Sequence, residues 1–278
     1  MVPLRQLSVG NSRSTDVRGW PPEPAGALPV VLRAARLMRA RKAAALLVSA
    51  AFAAVGGPTL MHRRRRQRGD YRIVILEYHD TGPDGAKHEL LVSASRLRRH
   101  LRYLRRYYRL ISLSEAVAML ARPRELLEDA VVVTLDDGYL GNYRYAWPVF
   151  CEEGVPATIF VCTGFLDGSE LWFDLAERCL DAAVDRRISL EALDRGLRGA
   201  IAAWSHRSRK ERVRSWLKSL PPERRDALLS QLRPLCEPLR EPRPPLTWEA
   251  VREMQRSRIE VGCHTVSHPT LSTLPARR

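Results

Sequence analysis

Two adjacent carboxylates, Asp136 and Asp137, could supply a general base and a metal ligand. They follow the aliphatic run 130–133 and stand just before Gly138. A continuous β-branched run predicts a strand buried on both faces, and ligands collect beyond the carboxyl ends of such strands. Asp-Asp-Gly is also common in solvated turns, so this motif alone leaves the turn interpretation open.

A second motif supplies two imidazoles. The predicted strand 259–263 is followed by His264 and His268. We expect a helical turn here, because side chains at i and i+4 of a helix face the same way and can hold one ion. A carboxylate and two imidazoles suit zinc or another borderline divalent metal and leave positions open for water and substrate. The metal would polarise a carbonyl oxygen and acidify its bound water, and the remaining carboxylate would take the proton.

The segments TLDDGY (134–139) and GCHTVSHPTLSTL (262–274) resemble the first two motifs of the polysaccharide deacetylase family, carbohydrate esterase family 4, which carries the NodB-like homology domain. The resemblance implies that Asp136 is the general base. It also implies that Asp137, His264 and His268 bind a divalent metal, with zinc preferred, and that a backbone amide near Tyr139 helps to hold the oxyanion.

Other stretches fit the family in the same order. Segment 71–79 resembles the opening strand with its Tyr-His pair, which gives His79 a candidate place at the mouth of the site, and 93–113 resembles the first helix and the strand after it. Segments 154–161 and 163–166 resemble the next strand and its continuation. The resemblance spans roughly 71–274 and implies hydrolysis of N-acetyl or O-acetyl groups on an acetylated polysaccharide, acting on carbon–nitrogen bonds other than peptide bonds.

The later family motifs do not occur in this sequence: an arginine motif, an Asp-Trp motif and a Leu-x-His whose histidine is the general acid. The sequence ends at Arg278, ten residues after His268, which predicts a domain truncated after its second motif. The alternative function is therefore an inactive remnant that binds metal, glycan or membrane without turnover. Departure of the amine needs a proton, so loss of the general acid favours that alternative.

The implied fold class is α/β, the N-terminal half of a distorted (β/α) barrel. We expect a disordered N-terminus over 1–30, a basic segment over 31–69 with an apolar helix at 43–61, and the deacetylase-like domain over 70–278. A helical insertion is predicted at about 171–245, with helices over 208–220 and 222–235 whose apolar residues, Trp204 and Trp216 among them, pack that insertion. Capping patterns place helix starts at Ser112 and Thr247.

Most of the net charge of +15 lies in the N-terminal part of the chain. Residues 1–70 hold 13 basic and 3 acidic side chains, a net charge of +10. The apolar stretch 43–61 carries no charge and is flanked by arginines on both sides. A length of about 20 apolar residues is needed to span a bilayer, so the segment could span, lie on the membrane surface or form a soluble helix.

We expect membrane association through 43–61 and its flanking arginines, in a bacterial-type cell envelope, with the cytoplasmic face left open. The run Arg63–Arg66 lacks interleaved aromatic residues and a recognition motif, so no nucleic acid partner is predicted. The five scattered cysteines show no C-x-x-C spacing, and their odd number argues against a disulfide framework.

Overall fold

Strands and helices alternate along the chain, and the strands form a parallel sheet. The computed structural model describes residues 44–45, 47–52, 54–86, 88, 90–122, 128–186, 209–236 and 241–274. The predicted disordered N-terminus over 1–30 and Trp204 lie outside these residues.

The bounds of the elements follow the chain. The strands are β1 (Ile73–Tyr78), β2 (Asp80–Gly82), β3 (Leu91–Ser93), β4 (Arg109–Leu110), β5 (Ala130–Leu135), β6 (Ala157–Val161) and β7 (Ile259–Cys263). The helices are α1 (Gly57–Arg68), α2 (Ala94–Tyr107), α3 (Leu113–Leu120), α4 (Trp147–Glu153), α5 (Thr163–Leu166), α6 (Trp172–Arg186), α7 (Arg209–Ser219), α8 (Pro222–Cys236) and α9 (Trp248–Gln255). A π-helical turn (Asn142–Ala146) runs into α4, and a 3₁₀ turn (Leu271–Thr273) follows β7.

The main sheet has the strand order β1-β5-β6-β7, and β4 pairs with the first residues of β5. Every pairing in it is parallel, with Tyr78 opposite Leu135 and Val161 opposite Cys263. All six residues of β5 are buried, as its aliphatic sequence predicts. The α/β expectation is confirmed, and parallel pairing brings the carboxyl ends of β1, β5, β6 and β7 to one edge of the sheet.

The predicted helix starts agree with the structure. Thr247 Oγ1 accepts a hydrogen bond from Ala250 N at 3.1 Å and caps α9. Ser112 Oγ accepts from Glu115 N at 3.1 Å and caps α3. The reciprocal half of the predicted capping box is absent among the described residues, because the Glu115 carboxylate accepts from Arg109 Nη2 instead.

The helical insertion has an apolar cluster of its own. Leu175 of α6, Val213 and Leu217 of α7, and Leu228 of α8 are buried together, and Trp216 packs against them, which confirms its predicted packing role. Cys179 of α6 is disulfide-bonded. The expectation of no disulfide framework was thus wrong at this position, since folding brings together cysteines whose spacing in sequence shows no pattern.

The N-terminal apolar stretch is interrupted. Described residues between 44 and 54 are helical, but Gly56 has φ 74° and separates them from α1. Left-handed backbone at a glycine ends a helix. Among the described residues, none of the helices is long and apolar enough to cross a bilayer.

Candidate active site

The Asp pair lies on a sharp turn at the carboxyl end of β5. Asp136 N donates to the Tyr78 carbonyl of β1 at 2.9 Å, which extends the sheet by one bond. Asp137 then has φ 74° and Gly138 has φ 93°. Left-handed backbone is costly for an aspartate, and such conformations persist where the surrounding structure enforces them. The turn directs Asp137 into the protein, where it is fully buried.

A short extended segment holds this turn in place. Leu246 N donates to the Gly138 carbonyl at 2.8 Å, and Leu140 N donates to the Pro244 carbonyl at 2.9 Å. These bonds form an antiparallel bridge between Tyr139 and Pro245. We call residues 243–246 the strap, because they join the end of the helical insertion to the turn that carries Asp136 and Asp137.

The two histidines follow β7 and approach the Asp pair from the other side. His264 N donates to the Val161 carbonyl of β6 at 2.8 Å, and His268 N donates to Thr265 Oγ1 at 3.0 Å. The expected helical turn was wrong, since residues 264–270 form a bent loop. Thr265 at φ 68° and His268 at φ 52° reverse the chain, so backbone conformation, rather than helical spacing, brings the rings together.

The structure brings the predicted ligands to one point. His268 Nε2 lies 3.4 Å from Asp137 Oδ1, and His264 Nε2 lies 3.8 Å from the same oxygen. Their ligand atoms all lie within 4.8 Å of one another. Two atoms about 2.1 Å from a tetrahedral ion lie about 3.4 Å apart, so these separations fit a shared cation.

The hydrogen bonding of Asp137 also fits a cation. Both of its carboxylate oxygens are buried, and no donor among the described residues hydrogen-bonds to them. A buried carboxylate without donors is costly, and a metal ion is a standard solution. Two imidazole nitrogens and one carboxylate oxygen form the donor set that zinc prefers in catalytic sites.

The electrostatic surroundings of the two aspartates shift their pKa values differently. Burial, reinforced by the charges of Asp136 and Asp174, raises the pKa of Asp137 to about 7. Burial also raises the pKa of Asp136, but His264 opposes that shift. Burial lowers the pKa of His268, which favours the neutral imidazole that a metal requires.

His79 reaches the site from the end of β1. A ring nitrogen of His79 and carboxylate oxygens of Glu77 and Asp136 lie within 4.8 Å of one another. His79 Nε2 is 3.6 Å from Glu77 Oε1. The predicted place of His79 at the mouth of the site is consistent with this geometry, because His79 also lines the cleft that Asp137 and His268 line.

Sequence reasoning did not predict the role of Arg243, a charged residue close to the turn that carries the Asp pair. Arg243 of the strap donates to Asp174 and lies 3.6 Å from Asp80 Oδ2. Its guanidinium carbon also lies 4.1 Å from the ring centroid of Tyr139, whose hydroxyl donates to Asp174 at 2.9 Å. No periodicity or motif marks Arg243 within its proline-rich segment. It supplies the cation that offsets the buried carboxylates Asp80 and Asp174.

The triad opens into a cleft of about 470 Å³. Asp137 and His268 line its floor and His79 lies at its edge, while Trp172 and Phe173 of α6 form one wall. Helix α7 contributes Arg214, Ser215 and Lys218. The arrangement places a candidate base, a candidate metal site and an open volume for substrate together.

Comparisons with known proteins identify the family of this chain. The family model for polysaccharide deacetylases matches residues 124–278. YxkH of Bacillus subtilis (strain 168), whose name assigns it to the polysaccharide deacetylases, is 33% identical over 91 residues, or 32% of each chain. The matched part thus spans about a third of the length of this curated relative.

Two solved structures are similar at low identity. A de-N-acetylase from Aggregatibacter actinomycetemcomitans has 19% identity and a TM-score of 0.40, over 69% of this chain and 54% of that one. The deacetylase PplD of Streptococcus pyogenes, solved with acetate, has 18% identity and a TM-score of 0.43, over 73% and 60%. The family match, which covers more than half of the sequence, shows that this chain belongs to the polysaccharide deacetylase family.

Proposed function

We propose that this chain is a metal-dependent hydrolase that removes acetyl groups from an acetylated polysaccharide. The observation that carries the proposal is the position of Asp136 beside the Asp137–His264–His268 triad, with Asp136 Oδ2 4.0 Å from His264 Nε2, next to the cleft that Asp137 and His268 line. A base next to a three-ligand cation site is the constellation that metal-assisted hydrolysis requires.

Asp137, His264 and His268 would hold the metal, which we propose to be zinc because the donor set has two nitrogens and one oxygen. When bound, the metal supplies Lewis acidity toward water and the acyl oxygen. The unpartnered Asp137 oxygens support this assignment.

Asp136 is the proposed general base. It accepts a proton from the attacking water, whose oxygen adds to the acyl carbon, and the carbon–nitrogen bond then breaks to give acetate and an amine. Its raised pKa makes the carboxylate a better proton acceptor than an exposed aspartate. The Tyr139 amide N–H has no acceptor among the described residues, which leaves it available to the oxyanion.

His79 is the proposed source of the proton that the departing amine needs. His79 lines the same cleft as Asp137 and His268, and one of its ring nitrogens lies within 4.8 Å of a carboxylate oxygen of Asp136. A protonated imidazole in that cleft would supply the proton to the amine nitrogen as the carbon–nitrogen bond breaks. The inactive alternative was favoured because no residue was known to protonate the departing amine. With His79 in this role, the amine receives its proton.

The test is product analysis on acetylated oligosaccharides with zinc-loaded protein. We expect acetate and free amine to appear in equal amounts, and chelation to stop both. Asp136→Asn should keep its zinc and lose turnover. Binding of zinc and glycan by the wild-type protein without release of acetate would establish the alternative, a binding protein without turnover.

We also propose that the N-terminal segment associates with anionic membrane surfaces, which would place the protein at a bacterial cell envelope. Exposed apolar side chains, including Leu47, Val48 and Val55, directly precede α1. A cleft of about 550 Å³ is lined by Arg63 and Arg66 of α1, Arg105 and Arg106 of α2 and Arg109 of β4, together with Glu128 and Asp129. Apolar contact and clustered arginines together support lipid headgroup binding.

A further inference from the structure

Helix α7 of the insertion presents positive charge to the candidate active site. Arg214 and Lys218 line the cleft that contains Asp137 and His268. The two residues are four positions apart, so their side chains lie on the same face of the helix. The insertion therefore builds one wall of the site.

Packing fixes the orientation of that wall. Val213 and Leu217 of α7 are fully buried in the apolar cluster of the insertion. Because these residues anchor α7, Lys218 is not needed to hold the helix in the fold. Lys218 is exposed, and within the described part of the chain no carboxylate lies within 4.0 Å of its ammonium.

The charges facing the cleft are unbalanced. Asp137 is the only carboxylate among the described residues that line it, and that carboxylate belongs to the cation site. Lys218 lines the same cleft as the candidate ligand His268. With a metal in place, the cleft presents an excess of positive charge to its substrate.

We propose that Lys218 of α7 recognises an anionic group, a carboxylate or a phosphate, on the glycan beside the acetylated sugar. This inference rests on the proposed function and names the substrate class of the same site. A cationic wall raises the local concentration of an anionic polymer and sets its register against the reacting amide.

The experiment compares matched glycans on the zinc-loaded protein, with binding and acetate release measured separately. The probes are a neutral hexasaccharide of N-acetylglucosamine, one in which N-acetylglucosamine alternates with glucuronic acid, the methyl ester of the latter, and a 6-phosphorylated N-acetylglucosamine oligomer. The carboxylate and phosphate arms distinguish the two sources of negative charge.

We expect the wild-type protein to bind at least one anionic glycan more tightly than its neutral counterpart. Lys218→Gln should weaken that binding about fivefold, the size of a partly exposed charge pair, and leave the neutral glycan unchanged. Arg256→Gln is the control, because Arg256 is exposed just before the amino end of β7, away from the cleft. High salt should reduce the preference.

Equal affinity for neutral and anionic glycans, or an equal effect of Lys218→Gln on both, would overturn the inference. Preferential anionic binding without acetate release would uphold charge recognition and contradict the proposed hydrolysis. The two proposals therefore fail on different readouts.

Discussion

Asp136 and Asp137 are adjacent in sequence, yet their surroundings give them different chemistry. Asp137 is fully buried against two imidazoles, whereas the Asp136 side chain retains 12% exposure and borders His79 as well as His264. The left-handed backbone at Asp137 points the side chains of Asp136 and Asp137 in different directions. The turn thus gives one dipeptide two proposed roles, a metal ligand at Asp137 and a general base at Asp136.

Replacing each aspartate by asparagine tests this division. Asp136→Asn should lower kcat by about 10²–10⁴-fold, the usual contribution of a general base, with zinc content unchanged. Asp137→Asn should lose zinc as well as activity. The measurements are acetate release and metal analysis of the purified variants. Equal zinc loss in both variants would contradict the division of roles.

The raised pKa of Asp137 predicts how the stability of the metal-free protein depends on pH. The native carboxyl keeps its proton up to about pH 7, whereas in the unfolded chain it ionises near 3.8. The native state binds more protons in that window, so its free energy of unfolding falls as pH rises through it.

Thermal unfolding in chelator at pH 5 and pH 7.5 measures this effect. The wild-type protein should lose more stability than Asp137→Asn, whose amide does not titrate. Parallel behaviour of the two proteins would refute the assignment.

At the element scale, the site is made by segments that lack regular structure. The histidine loop rests on α5, where Gly164 N donates to the Val266 carbonyl at 2.9 Å. The strap supports the Asp turn from the other side. Strand ends bring the ligands to one edge of the sheet, and these loops set the distances between them.

Gly164→Ala should disturb the histidine loop. A Cβ at this position would lie 2.7 Å from the Val266 carbonyl oxygen, a backbone atom that must then move. We expect zinc binding to weaken about tenfold, as is typical when residues that position metal ligands are changed. Calorimetric titration with zinc measures it. Gly154→Ala is the control for general backbone strain, because its φ of 64° disfavours alanine although the added Cβ meets no atom within 4 Å; it should cost stability and leave zinc affinity unchanged. Wild-type zinc affinity in Gly164→Ala would show that the contact is unimportant.

Arg243→Met should destabilise the strap and the buried carboxylates. Removing one partner from a buried ion pair costs about 3–5 kcal/mol, and the 23% exposure of the Arg243 side chain places the expected loss at the lower end. Arg252→Met breaks an exposed pair with Glu249 and should cost less than about 1 kcal/mol. Denaturant unfolding compares the two, and equal losses would contradict a structural role for Arg243.

Sequence patterns could predict the candidate ligands, but not the backbone conformations and distant contacts that bring them together. Asp136, Asp137 and His264 directly follow aliphatic strands, and strand ends are where parallel sheets gather their ligands. The loop at His268 depends on left-handed backbone at Thr265, a residue whose type does not signal it. Arg243 became visible only once the strap was placed beside Tyr139, because contacts distant in sequence leave no local pattern.

At the scale of the whole molecule, two charged regions have different positions and different predicted partners. The deacetylase family match begins at residue 124, while the arginine-lined cleft of α1 and α2 is built largely from residues before it. The catalytic cleft lies at the carboxyl edge of the sheet. One region suits attachment to a surface, and the other suits chemistry on a polymer.

The surface proposal predicts binding to anionic vesicles. The full chain should bind vesicles that contain phosphatidylglycerol and bind neutral phosphatidylcholine vesicles weakly, with the difference lost at high salt. Replacing Arg63, Arg66 and Arg106 by Gln should reduce binding by about 1 kcal/mol per charge. Arg252→Gln, an exposed position on α9, is the control. Equal sedimentation with both vesicle types would contradict the proposal.

In the proposed function, one metal held by Asp137, His264 and His268 enables deacetylation with Asp136 as base. The most direct measurement is a zinc titration of the metal-free protein that follows bound zinc and acetate release together. We predict that both rise in parallel and level off at one zinc per chain. The double variant His264→Ala/His268→Ala should show neither. Acetate release without metal, or undiminished zinc binding in the double variant, would contradict the claim.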